Sequence, residues 1–407
     1  MYIEGGAMKH LEQLEKAQHV LKDVLLDTSL IYSQSFSEEY HNEIYLKPEC
    51  LQKTGAFKIR GAFNKISNLS EQEKKNGLIC SSAGNHAQGV AYAARELGVK
   101  ATIVMPKTTP LIKVEATKKY GASVVLHGDV YDDAYQEARR LEKENKLTFI
   151  HPFDDLDIIY GQGTIGLEIL DQLDEVDYVL VPVGGGGLIS GIAMAIKEKK
   201  PSVKVVGVEP RGAMAMKQSI RMNERVCLNK VDTIADGVAV KEPGKLTFEL
   251  IKKYVDDIIV VDDYDLMEAF LMLVEKHKIV AENAGLLSLA GLKKLKVKNK
   301  NVVSLLSGGN IDVLTISSLI NKGLVSRGRI YCFSVDLPDT PGQLLQISKI
   351  LSDNKANVVK LDHNQFRTTD RFHHVNLQVT IETNGHEHLK VIVDDLDKHG
   401  FHVEEVN

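Results

Sequence analysis

Four consecutive glycines, Gly184, Gly185, Gly186 and Gly187, separate a strand-forming run that starts at Tyr178 from a helix-forming run that starts at Leu188. Glycine leaves backbone N–H groups bare and accepts conformations that side chains resist. At a helix N-terminus those groups carry a partial positive charge of roughly half a proton, so the turn suits a phosphate. No Gly-x-x-x-x-Gly-Lys-Ser/Thr loop occurs in the chain, and no Gly-x-Gly-x-x-Gly turn opens its first strand–helix unit. Both absences argue against nucleoside triphosphates and dinucleotides.

Lys58 lies in Thr54-Gly-Ala-Phe-Lys-Ile-Arg-Gly-Ala62. A lysine beside a phosphate loop points to pyridoxal 5′-phosphate, which attaches to its protein through a lysine. A free lysine, with a pKa of about 10.4, is almost wholly charged at neutral pH, and linkage to an aldehyde removes that obstacle. Phe57 and Ile59 flank Lys58 with apolar side chains, which suits a buried role; spacing alone reads equally well as one more surface lysine. Two further strand-end turns carry polar groups. Ser81-Ser-Ala-Gly-Asn-His86 leads into a helix and offers N–H groups, hydroxyls and an amide to a substrate carboxylate; by itself it is also an ordinary capped helix start. Leu305-Leu-Ser-Gly-Gly-Asn310 ends another strand, with Ser307 suited to a polar ring atom; by itself it is also an ordinary glycine turn. Three such turns and a lysine in one chain point to a common site.

Turns of this kind need parallel strands to hold them. Residues 78–80, 101–105, 123–126, 203–208, 258–261 and 302–306 read as strands, and 87–97, 111–120 and 131–144 as helices. Strands separated by helices build parallel sheets, whose ligands sit at the carboxyl ends of the strands. After a linker at 322–328 the order becomes strand 329–336, helix 341–353, strands 356–366 and 372–382, helix 386–399 and strand 401–406. This is the βαββαβ order of a ferredoxin-like unit. Thr340 reads as the N-cap of its first helix, with Pro341 at the first helical position. Leu389, Ile392, Val393 and Leu396 share one face of its second helix. The expected fold class is α/β. Two open parallel-sheet subdomains occupy residues 1–325, the smaller roughly 55–140, and a ferredoxin-like domain follows over 326–407.

Composition narrows the function classes. A chain of 407 residues exceeds one typical domain. A formal net charge of −5 gives no basis for binding nucleic acid or a membrane surface. Residues 178–196 carry no charge, but Pro182 and the glycines would break a membrane helix there. The charged stretch 10–26 lacks a signal-peptide pattern. Cys50, Cys80, Cys227 and Cys332 are far apart, so a reduced, cytoplasmic protein without a metal clip is expected. Half of the 14 histidines lie between His363 and His402. His373 and His374 would point to opposite faces of a strand, and the spacing of His386 and His388 does not align them on a helix. They read as solvated surface, and no metal is expected.

Together the motifs resemble the threonine dehydratases (threonine ammonia-lyases), pyridoxal-phosphate enzymes of the tryptophan-synthase-β fold group, over nearly the whole chain. The Lys58 segment and Ser82-Ala-Gly-Asn-His-Ala-Gln-Gly89 match the dehydratase branch specifically. The glycine tetrad and Ser307-Gly-Gly-Asn310 are shared more widely in the group. Pro338-Asp-Thr-Pro-Gly-Gln-Leu344 resembles an ACT domain, an amino-acid-sensing module. The resemblance implies fold type II for the catalytic part and assigns roles by position. Lys58 would bond to the cofactor aldehyde and act as general base. Gly184, Gly185, Gly186, Gly187 and Leu188 would hold its phosphate. Asn85 would meet the ring hydroxyl, Ser307 the pyridine nitrogen, and Phe57 would flank the ring. Gly237, in Ile234-Ala-Asp-Gly-Val238, would approach through its backbone. Ser82, Ala83, Gly84, Asn85 and His86 would cradle the substrate carboxylate. The implied reaction is β-elimination of L-threonine, and also of L-serine, to a 2-oxo acid and ammonia. An amino-acid effector at the ACT domain and a homodimer or homotetramer are implied as well.

Two other readings compete. A serine racemase needs a hydroxyl before Gly84-Asn-His86, where this chain has Ala83. Glu209 matches one of the racemase's two acidic metal ligands, but the second falls at Ala215. An inactive amino-acid sensor would have lost Lys58 or the phosphate loop, and both are present.

Overall fold

A computed structural model of the chain describes residues 7–364 and 374–406. The chain divides into two compact units, Met1–Ile311 and Asp312–Asn407.

The first unit contains two sheets. Its larger sheet runs in the order Ile31–Tyr32, Glu43–Lys47, Asn301–Leu305, Tyr178–Pro182, Lys204–Pro210, Asp257–Val261. The outermost pair, Ile31–Tyr32 with Glu43–Lys47, is antiparallel, and every other pairing is parallel. Parallel strands are covered on both faces and so read as unbroken apolar runs. Val179, Leu180 and Val181 are fully buried, as are Val302, Val303 and Leu305. The smaller sheet is parallel throughout, in the order Ser123–Leu126, Ala101–Met105, Leu78–Ser81, Thr148–Phe149. Each expected strand of this unit is present within one or two residues of its expected bounds. Three short strands were not expected: Ile31–Tyr32, Glu43–Lys47 and Thr148–Phe149.

The helix Lys58–Ser67 ties the two subdomains together. A side chain at Gly161 would collide with the backbone of Arg60, and one at Gly89 would lie 3.1 Å from the Lys58 carbonyl carbon. Helices Leu156–Gln172 and Asn85–Glu96 therefore both approach the Lys58 helix to backbone contact. Arg60, fully buried, is clamped by Glu49 (Nη2–Oε1 2.7 Å, Nε–Oε2 2.8 Å) and Glu168 (Nη2–Oε2 2.9 Å). Lys47, also fully buried, donates to Glu168 and to the Thr28 carbonyl, each at 2.7 Å.

The second unit has the expected βαββαβ order, preceded by a helix. Its antiparallel sheet runs Asn357–Asn364, His374–Glu382, Ile330–Pro338, Val403–Glu405. Helices Gln343–Asp353 and His386–Lys398 share a core with it that includes Val335, Ile347, Leu377, Ile392 and Leu396. Two local expectations are corrected. The expected linker is mostly helix, because Val313–Ser326 continues to Arg327 and stops before Gly328, whose φ is +63°. Thr340 is not the cap of the first ferredoxin-like helix. Gly342, at φ +103°, turns the chain into a helix that begins at Gln343. Phe366, Phe372 and His373, placed on strands by the sequence, lie outside the described residues.

Candidate active site

Three of the singled-out segments are laced together at the end of strand Asn301–Leu305. Phe57 N donates to the Ser307 carbonyl at 3.1 Å, and Gly309 N to the Gly55 carbonyl at 2.8 Å. The Asn310 amide donates to the Thr54 carbonyl at 2.7 Å and to Asn85 Oδ1 at 2.8 Å. Gly55 has φ +70°, and a side chain there would strike the Asn310 amide. The segments of Lys58, Asn85 and Ser307 are thus held at one place by backbone and Asn310 side-chain bonds, although the chain separates them widely.

The glycine run completes the frame. It follows strand Tyr178–Pro182 and opens helix Gly187–Lys199, with Gly186 at φ +97°. Side chains have no room in it. One at Gly185 would overlap the Phe153 ring, one at Gly187 would lie 2.8 Å from the Phe153 carbonyl oxygen, and one at Gly186 would lie 2.9 Å from Thr247 Cβ. Among the described residues no acceptor takes the N–H groups of Gly184, Gly185, Gly186, Gly187 or Leu188. Buried N–H groups are nearly always paired, so this cradle of bare donors at a helix N-terminus fits a phosphate. Leu188 is buried at its edge.

The segment His151–Asp155, which was not expected to matter, joins these parts. Lys58 Nζ donates to the Pro152 carbonyl at 2.7 Å. Phe153 packs against the glycine run. Asp154 Oδ1 accepts from Leu246 N and Thr247 N, at 2.9 and 3.1 Å, capping helix Lys245–Tyr254. Burial pulls the Lys58 amine down to about 8, against the pull of the Glu282 carboxylate. Roughly a tenth of it is then neutral at pH 7, far more than for a free lysine.

Ser82, Ala83 and Gly84 precede helix Asn85–Glu96, which Asn85 and His86 open, and Ser82 Oγ accepts from Gly84 N at 3.3 Å. The His86 ring is buried and bonded to the Ile150 carbonyl at 3.0 Å, and burial pushes its pKa down to about 3. The His86 ring is therefore neutral and engaged with the Ile150 carbonyl. Ala83 provides no hydroxyl. Gly237 sits in the short turn Asp236–Val238, where a side chain would lie 2.9 Å from Ala284 Cβ and 3.4 Å from Glu282 Oε1.

Glu282 was missed. Its Oε1 accepts from Asn85 Nδ2 at 2.7 Å, and its backbone N–H donates to the Gly308 carbonyl at 2.9 Å. Burial pushes its carboxyl up to about 7. A single acid in Ala281-Glu-Asn-Ala-Gly285 carries no sequence signal of that position.

The residues present fit pyridoxal phosphate: a phosphate cradle, a lysine of lowered pKa, and polar groups converging beside it. The profile of the pyridoxal-phosphate dependent enzymes matches residues 21–308.

The chain belongs to the pyridoxal-phosphate dependent enzymes.

Within that family it is 47% identical over 394 residues to an L-threonine ammonia-lyase of Thermotoga maritima, covering 97% of this chain and 98% of that protein. The structure of processed threonine deaminase isoform 2 from Solanum lycopersicum superposes with a TM-score of 0.75 at 39% identity, covering 78% of this chain and 89% of that one. Maize serine racemase superposes at 0.73 with 35% identity, covering 78% and 98%. The family is pyridoxal-phosphate dependent, and the fold is the expected type II architecture.

Glu209, the matched half of a racemase metal pair, uses both carboxylate oxygens on backbone N–H groups, of Met216 at 2.9 Å and Lys217 at 2.8 Å. It caps the start of helix Ala215–Met222, whose first residue is the alanine. Among the described residues there is no group of three side chains suited to a metal ion. No described helix is long and apolar enough to cross a membrane.

Proposed function

We propose that this chain is a threonine ammonia-lyase that eliminates the β-hydroxyl of L-threonine, yielding 2-oxobutanoate and ammonia, and that it also accepts L-serine. The observation that carries the reading is the Lys58 amine, held 2.7 Å from the Pro152 carbonyl beside the bare N–H groups of the glycine run. When bound, pyridoxal phosphate supplies an electron-withdrawing ring that acidifies the substrate Cα–H. The N–H groups of Gly184, Gly185, Gly186, Gly187 and Leu188 would hold its phosphate. Phe57 and the backbone at Gly237 would border the ring, Asn85 would meet its hydroxyl and Ser307 its nitrogen. Ser82, Ala83, Gly84, Asn85 and His86 hold the substrate carboxylate through N–H and side-chain donors. Lys58 Nζ, neutral in a useful fraction because it is buried, takes the Cα proton as general base.

Ala83 decides between elimination and racemisation. Racemisation needs a second proton donor on the opposite face, and an alanine has none. One methyl group in a pocket is worth only about 1–3 kcal/mol, so threonine and serine both react. The second unit binds a branched-chain amino acid and pairs with its copy in another subunit of a cytoplasmic homo-oligomer; the Pro338-to-Leu344 motif and the βαββαβ order support this. Steady-state kinetics with L-threonine and L-serine, alongside chiral assay of residual serine, test the reading. Oxo-acid formation with no D-serine is expected. D-serine formed faster than pyruvate would replace the lyase with a racemase.

A further inference from the structure

Asn85, central to the proposed cofactor site, is itself held by a three-residue relay. Asn310 has two amide hydrogens, and both are spent, on the Thr54 carbonyl at 2.7 Å and Asn85 Oδ1 at 2.8 Å. Asn85 can therefore meet Asn310 only with its oxygen. Its Nδ2 then faces Glu282 Oε1 at 2.7 Å. The reversed amide would set one NH2 group against another and an oxygen against a carboxylate, so the network fixes the assignment. Nδ2 carries two hydrogens and gives one to Glu282; among the described residues it has no second acceptor. The remaining hydrogen is a donor directed by the relay.

The Glu282 carboxyl is bordered by two glycines. A side chain at Gly308 would lie 2.6 Å from its Oε1, and one at Gly237 3.4 Å. Both glycines are in segments that the sequence had singled out, so their lack of side chains makes room for this carboxyl. The residue itself stays partly exposed.

We propose that Glu282 is a positioning residue of the active site, which with Asn310 fixes Asn85 so that its amide presents a hydrogen-bond donor to the cofactor's ring oxygen. The proposal rests on the Asn85 role given above and specifies how that role is enforced. It also gives the site a pH response. Burial and Asp236 raise the Glu282 carboxyl to about 7, while Asn85, Lys113 and Lys58 pull the other way. Above pH 7 the carboxylate is ionised and holds Asn85 with a charge-assisted bond. Below it the bond weakens, and the environment of the ring oxygen changes.

Cofactor binding to the full-length apoprotein, and the visible absorbance of the loaded protein as a function of pH, test this without reference to any substrate. Glu282→Leu is expected to weaken pyridoxal phosphate binding by about tenfold or more, the scale of a bond to a charged group. Glu282→Gln keeps an acceptor oxygen. It should bind within about threefold of the natural protein and lose the absorbance transition near pH 7. In an Asn85→Ala background, Glu282→Leu should add less than about twofold, because Glu282 acts through Asn85. Full additivity in that cycle, or an unchanged pH transition in Glu282→Gln, overturns the proposal. Failure to turn over threonine would count against the lyase reading and leave these readouts intact.

Discussion

At the residue scale, the phosphate cradle depends on what is missing at Gly185. Gly185→Ala places a methyl group on the Phe153 ring. Overpacking of this kind costs about 1–3 kcal/mol, so pyridoxal phosphate affinity should fall by about tenfold. Titration of the apoprotein measures it, and Phe153→Ala in the same chain should recover part of the loss. An unperturbed Gly185→Ala would mean that Phe153 does not shape the loop. Lys58, Asn85, Ser307 and the glycines were legible in the sequence because each sits in a short motif at a strand end. Pro152, Phe153 and Glu282 were not. A carbonyl acceptor has no side-chain signature, a lone phenylalanine reads as core, and a single acid reads as surface. Only the fold shows that they face the lysine or the loops around it.

At the scale of elements, the helix carrying Lys58 is anchored by Arg60. Its charge is fully buried and is matched by Glu49 and Glu168. Arg60→Leu leaves Glu49 buried without a counter-charge, a loss of about 3–5 kcal/mol. Chemical denaturation should show it as a lower midpoint. A midpoint close to the natural protein's would mean that the buried pair contributes little. The same network explains a gap in the sequence reading. Glu43–Lys47 ends in a lysine and begins with an acid, so its pattern is not that of an interior strand. Lys47 is nonetheless fully buried, because Glu168 and the Thr28 carbonyl receive it. Long-range ion pairing cannot be seen in periodicity. The strands that were legible, such as Tyr178–Pro182 and Asn301–Leu305, are apolar runs with a turn at the carboxyl end. The βαββαβ unit was legible for a related reason: His374–Glu382 alternates buried and half-buried residues along most of its length. Lys322-Gly323 reads as part of a linker in the sequence, yet that glycine is buried inside helix Val313–Ser326.

At the scale of the whole molecule, the chain divides into compact units between Ile311 and Asp312. A chain ending at Ile311 keeps the first unit's strands and all the proposed cofactor and substrate residues. On the proposed regulation, it should retain threonine turnover and lose its response to isoleucine and valine; an identical response in the full and shortened chains would leave the sensing role unsupported. The central claim is that Lys58, set among the glycine run, Asn85 and Ser307, carries out an elimination on L-threonine. Its most direct test is the yield of 2-oxobutanoate and ammonia from L-threonine by the cofactor-loaded protein and by Lys58→Ala. Equal amounts of the two products from the natural chain, and none above background from the variant, are predicted. Undiminished elimination by Lys58→Ala, or no 2-oxobutanoate from the natural chain, would contradict the account.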